Sequence, residues 1–146
     1  MIDRSLKSVA SLKIATLAIA AFAMSPVAAQ AAAVSLTATL SGTAETAGGD
    51  PDGSGAFSVE IDPDSGDFCY SLSAKGIDAP TMAHVHSGAA GADGPPVLTI
   101  TVADDECIAA EPSVLKPIVD NPAGYYVNIH TAAFPKGAVR GQLAKK

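Results

Sequence analysis

No stretch of this 146-residue chain is long and apolar enough to cross a membrane as a helix: the longest candidate, Ile14–Met24, has 11 residues, and a span needs about 20. Basic residues are few, with 9 Lys and Arg against 15 Asp and Glu. That balance repels phosphate backbones and argues against a nucleic-acid partner. The charges are scattered, so no acidic tail is expected. No Gly-x-Ser-x-Gly elbow marks a serine nucleophile. The glycine-rich run 88–94 lacks the helix and basic residue that complete a phosphate loop. Asp62, Asp64 and Asp67 crowd one turn, but Gly66 stands fifth and Ser73 twelfth. A calcium loop of the EF-hand type needs glycine sixth and a carboxylate twelfth, so these carboxylates read as a solvated turn. Pro112, Pro117 and Pro122 exclude a long helix over the ambiguous stretch 108–121.

The N-terminus has the layout of a secretory signal peptide. Arg4, Lys7 and Lys13 precede Ile14–Met24, and small residues follow in Ala29-Gln30-Ala31. Cleavage is expected after Ala31, with Ala29 and Ala33 as alternatives. This assigns residues 1–31 to the signal peptide and 32–146 to one β domain, periplasmic or secreted, with no membrane span after cleavage. A domain of that size can build its own core without a metal. Three basic residues and one acidic residue lie in the signal segment, leaving a net charge of −8 on the remainder. The two cysteines, Cys69 and Cys107, form an even count in an exported chain and point to a disulfide.

After the signal segment, apolar residues recur at every second position. Val34, Leu36, Ala38 and Leu40 share one face of a strand, as do Phe57, Val59 and Ile61, and then Phe68, Tyr70, Leu72 and Ala74. Asp62-Pro63-Asp64-Ser65-Gly66 joins the last two as a hairpin. Further strands are expected over 81–87, 97–102, 125–131 and 138–143, with one or two helical turns around Ser113 to Lys116. About seven strands with short connections make a sandwich or barrel of antiparallel strands.

All three histidines fall on two of these strands. In Ala83-His84-Val85-His86-Ser87-Gly88 the i, i+2 spacing places His84 and His86 on one face, with Ala83 and Val85 on the other. In Tyr125-Tyr126-Val127-Asn128-Ile129-His130-Thr131, Tyr126, Asn128 and His130 share a face. Core is the default environment for either Tyr125 or Tyr126. If the strands are neighbours, His84, His86 and His130 converge on a site suited to copper or zinc. Asn128 can then orient a ring nitrogen, and Arg140 on a following strand can attract an anion. Without an ion, the same residues can form a polar network that sets strand register.

These two strands carry a family resemblance. Ala83-His84-Val85-His86-Ser87-Gly88 with Gly94-Pro95-Pro96-Val97 resembles the central motif of the CHRD (chordin-type) family, which includes bacterial exported proteins. Leu40-Ser41-Gly42-Thr43-Ala44-Glu45, Cys69-Tyr70-Ser71-Leu72, the strand 125–131 and Gly137-Ala138-Val139-Arg140-Gly141-Gln142-Leu143 extend the likeness over most of the domain. The pattern departs at Lys136-Gly137-Ala138, where Gly-Gly and an acidic residue are expected. The resemblance implies an all-β, Greek-key or immunoglobulin-like sandwich or barrel with limited similarity to copper-zinc superoxide dismutases. In that similarity His84, His86 and His130 stand where copper ligands would, and Arg140 where the dismutase arginine would. A fourth histidine and a zinc loop are missing.

The resemblance implies no settled activity. The expected function is a non-enzymatic extracytoplasmic binding or structural module with a histidine metal site and an extracytoplasmic protein as partner. The alternative is a copper-binding, dismutase-like redox protein.

Overall fold

The computed structural model describes residues 32–146; the signal segment expected over residues 1–31 lies outside them. The chain forms β1 (Val34–Ser41), β2 (Ser54–Asp62), β3 (Asp67–Lys75), β4 (Pro80–Ser87), β5 (Pro96–Ile100), β6 (Glu106–Ala109), a helix α1 (Pro112–Asp120), β7 (Tyr125–Thr131), β8 (Val139–Gln142) and β9 (Ala144–Lys145). The strands make one sheet in the order β5-β4-β7-β8-β1-β2-β3-β6, with β9 paired to β1, and every pairing is antiparallel. The fold is all-β, as the alternation predicts.

The sheet curls around its apolar face. Leu36 and Leu40 from β1, Phe57 and Ile61 from β2, Phe68 and Leu72 from β3, Val85 from β4 and Val127 and Ile129 from β7 are all buried in one core. The connection from β5 to β6 crosses the open side. There Ala103 accepts a hydrogen bond from the Leu72 amide at 2.8 Å, and Tyr70 Oη accepts one from the Thr101 amide at 3.0 Å. Both edge strands are short, and β5 starts at Pro96, which limits pairing with another chain.

Among the described residues the strand count is nine rather than about seven. β6 and β9 are too short to show a readable alternation, although Ile108 of β6 packs against the core; they are strands because β3 and β1 offer them free ladder positions. The helix is also longer than one or two turns around Ser113–Lys116. Pro112 is tolerated at its first position, where an amide has no helical partner. Pro117 removes one interior bond, but Leu115 and Ile118 point into the core and are fully buried. Burying two such side chains contributes roughly 3–6 kcal/mol, which outweighs a proline cost of about 3 kcal/mol.

The hairpin turn between β2 and β3 uses Asp62 as its cap. Its carboxylate accepts the amides of Asp64 and Ser65 at 2.9 and 3.2 Å, and these bonds hold Asp62 below the usual carboxylate range. Asp64 pairs with Lys116 of α1.

Cys69 and Cys107 face each other across the β3–β6 pair and are joined as a disulfide. Their separation of 38 residues gives a loop-closure contribution of about 3–4 kcal/mol. The double variant Cys69→Ser/Cys107→Ser should lower stability by about that amount, read as a shift in urea midpoint. Coincident midpoints for the oxidised and variant proteins would show that β6 is held without the bridge.

Candidate metal centre

β4 and β7 are adjacent, and their register brings the histidines together. His84 lies opposite Asn128, His86 opposite Tyr126 and Met82 opposite His130. Ala83, Val85, Val127 and Ile129 occupy the core face, so the histidines stand on the other face of the sheet. One nitrogen from each of the three rings lies within 4.8 Å of the other two. His84 Nδ1 and His130 Nε2 are 3.1 Å apart. Two imidazole nitrogens bound tetrahedrally to one ion at about 2.0–2.1 Å are separated by roughly 3.3 Å, so this pair is already at ligand spacing.

Backbone carbonyls choose which nitrogens face inward. His86 Nδ1 is 2.8 Å from the Gly94 carbonyl oxygen, and His130 Nδ1 is 3.1 Å from that of Pro135. A carbonyl can only accept, so both Nδ1 atoms carry the proton and both Nε2 atoms present a lone pair. His86 Nε2 is buried and has no hydrogen-bond partner. Unsatisfied buried acceptors are costly, and a site that leaves one unpartnered within a cluster of three imidazoles is suited to an ion. The donor set for an ion is His86 Nε2, His130 Nε2 and His84 Nδ1, the last of which donates its proton to His130 Nε2 without an ion and would give it up to bind one.

Electrostatics favour the neutral form of His84 and His130. Burial pulls the His84 pKa below its usual value, and repulsion from His130 and His86 adds to this. Burial also lowers His130; the bond to Pro135 opposes that shift and His86 reinforces it. A metal competes with protons for these lone pairs, so lowered pKa values favour ion binding at neutral pH.

The loop over 88–95, between β4 and β5, covers the site. It is anchored by Arg140 of β8, whose side chain is 2% exposed. The guanidinium donates to the carbonyls of Ala89 and Ala92 at 3.0 and 2.8 Å and pairs with Asp93 at 3.2 Å. Its Cζ also lies over the Tyr126 ring, 3.4 Å from the centroid. Tyr126 stacks on His86 at 4.8 Å with the planes 7° apart. Arg140 thus reaches His86 along two routes, through Tyr126 and through the loop that carries the Gly94 carbonyl. Its charge is turned toward Asp93 and the two carbonyls, within the covered face.

Asn128 is buried beside the Glu45 carboxyl, and the Nδ1 atoms of His86 and His130 are held by backbone carbonyls. Glu45 follows the short helical turn after β1 and lies under Gly137. Burial raises its pKa to about 7, against the opposing pull of Arg140. Asp93 supplies the carboxylate opposite Arg140 that the Lys136-Gly137-Ala138 segment lacks. Glu45, Asp93 and the stacking role of Tyr126 are absent from the sequence-based site. Glu45 and Asp93 come from loops, where no periodicity announces a face.

Gly94 makes a testable contact. A Cβ on it would collide with the Ser87 carbonyl, so Gly94→Ala must shift the carbonyl that holds His86. We expect metal affinity to fall by about tenfold or more with the β circular-dichroism spectrum retained. Unchanged affinity in a chelator competition would show that His86 needs no such hold.

A family model described as the CHRD domain matches residues 36–143, which includes all three histidines, Arg140, Glu45 and both cysteines. No curated protein matches the chain.

Proposed function

The chain belongs to the CHRD family, and from that premise we propose that it is an exported, non-enzymatic binding or structural module whose loop-covered sheet face carries one three-imidazole site for copper or zinc. The carrying observation is His86. Its Nδ1 is fixed on Gly94, its Nε2 is buried without a partner, and one nitrogen of the ring lies within 4.8 Å of a ligand nitrogen from both His84 and His130. Three neutral nitrogens with an open position are a donor set for either metal.

A bound copper ion would supply one-electron chemistry, and zinc would supply Lewis acidity. The chain's own residues would hold the ion and exclude water from two of its three ligands. Export rests on the charged, apolar and small-residue order of the first 31 residues. The disulfide accords with an oxidising compartment. Among the described residues no helix is long and apolar enough to cross a membrane. By analogy with chordin-type domains, the partner is another extracytoplasmic protein. The second reading, a dismutase-like redox protein, is favoured by the His84-Val85-His86 spacing with His130. It is weakened by Arg140, which is buried against Asp93 and two carbonyls.

The test is equilibrium titration of the purified protein with Cu²⁺ and with Zn²⁺. The proposal expects one ion per chain and loss of binding in both His84→Ala and His130→Ala. No uptake at micromolar metal would leave the three rings as a register-setting network. Superoxide consumption by the copper-loaded protein would favour the second reading.

A further inference from the structure

Among the described residues, the most exposed large apolar side chain stands beside the histidines. Met82 is 50% exposed. It precedes His84 by two positions on β4, and the next residue, Ala83, is 1% exposed in the core. Met82 is therefore on the outer face with His84 and His86. In the ladder it lies directly opposite His130, which places the two Cβ atoms roughly 4.5–5.5 Å apart. The site is open on this side: His86 and His130 are buried under their loops, whereas His84 is only half-buried.

A thioether in this position has a chemical consequence. Imidazoles alone suit Zn²⁺ and Cu²⁺, while a soft sulfur donor adds preference for cuprous copper. Methionine is unbranched and has three rotatable bonds, so its sulfur can swing without backbone movement. Exposure of an apolar side chain is also the condition in which moving it over a bound ion buries surface.

We propose that Met82 is a fourth ligand, closing over the ion held by His84, His86 and His130, and that it makes the site selective for Cu⁺ over Zn²⁺. This rests on the three-histidine reading above and adds the metal and its oxidation state. The step is ligation alone: the sulfur lone pair binds an ion that arrives as Cu⁺, and no bond of the protein breaks. Met82 also borders a groove formed with Pro80, Thr81, Ile100, Thr101 and Val102. If the residue serves only to line that groove, its sulfur has no effect on metal binding, which makes the two roles separable.

The experiment compares wild type with Met82→Leu under anaerobic conditions. Cu⁺ affinity is read by competition with a chromophoric Cu⁺ chelator, and Zn²⁺ affinity by competition with a zinc chelator. Met82→Leu keeps the volume and apolar character but removes the sulfur. We expect Cu⁺ affinity to fall by about tenfold or more, a change of about 1.4 kcal/mol, with Zn²⁺ affinity altered less than about twofold. X-ray absorption of the Cu⁺ form should show one sulfur neighbour in wild type and none in the variant. Equal loss for both metals, or an unchanged Cu⁺ affinity, would overturn the proposal for Met82 while leaving the histidine site intact. Failure of wild type to bind either metal would overturn the histidine site itself.

Discussion

Replacing Arg140 by Ala should cost about 3 kcal/mol of stability and should also weaken metal binding, although the residue donates no ligand. The ion pair with Asp93 supplies the smaller part of this, because Asp93 is 68% exposed and water screens the pair. The larger part comes from three other losses. The carbonyls of Ala89 and Ala92 lose their donor, the Tyr126 ring loses the cation stacked on it, and the largest fully buried side chain in the described residues leaves a void. Arg140→Lys keeps the charge but not the planar fork, so it should fall between wild type and Ala. Thermal or urea unfolding measures the stability, and chelator competition on the still-folded variant measures the site. Wild-type metal affinity in a destabilised Arg140→Ala protein would show that the loop and Tyr126 do not position His86.

Glu45→Gln should act in the opposite direction and only at high pH. Glu45 titrates near its ordinary value of 4.5 when the chain is unfolded and near 7 when folded, chiefly because burial penalises the carboxylate. Between those pH values the folded protein keeps a proton that the unfolded chain has released. Stability therefore falls as pH rises from about 4.5 to about 7 and is flat beyond. The full span is about 2–3 kcal/mol, the lower figure allowing for solvent screening at the carboxylate. Gln carries no titrating proton, so the variant should lack this slope. It should match wild type near pH 4 and exceed it by up to that amount at pH 8. Urea midpoints across this pH range decide the matter: parallel curves for the two proteins would mean that Glu45 is not a neutral acid in the fold. In Arg140→Ala the favourable charge beside Glu45 is gone, and its pKa should rise further.

Both predictions concern polar residues that pack beside the histidines on the covered face of the sheet, which was the less legible part of the chain. The strands β1, β2 and β3 follow directly from a two-residue apolar period, because each has one face in the core and a more exposed one, whereas β7 alternates apolar and polar residues but is buried on both faces. The same period places His84 with His86 and aligns Asn128 with His130. Their convergence needed only that β4 and β7 be neighbours, which the register supplies. Local pattern fails where tertiary contacts decide. The pair β6 and β9 are strands by virtue of their partners, and α1 forms across Pro117 because Leu115 and Ile118 reach the core. Tyr126 carries no local sign that it will be clamped between His86 and Arg140. Glu45 and Asp93 approach Arg140 from two separate loops, and nothing in the intervening residues encodes that meeting.

The proposed site requires three ring nitrogens to share one ion, and histidine ring ¹⁵N spectra of the protein titrated with Zn²⁺ test this atom by atom. At one equivalent, His84 should shift at Nδ1, while His86 and His130 should shift at Nε2 and keep protonated Nδ1 atoms on Gly94 and Pro135. Ring nitrogens that stay unmoved at one equivalent, or a shift confined to His84, would contradict it.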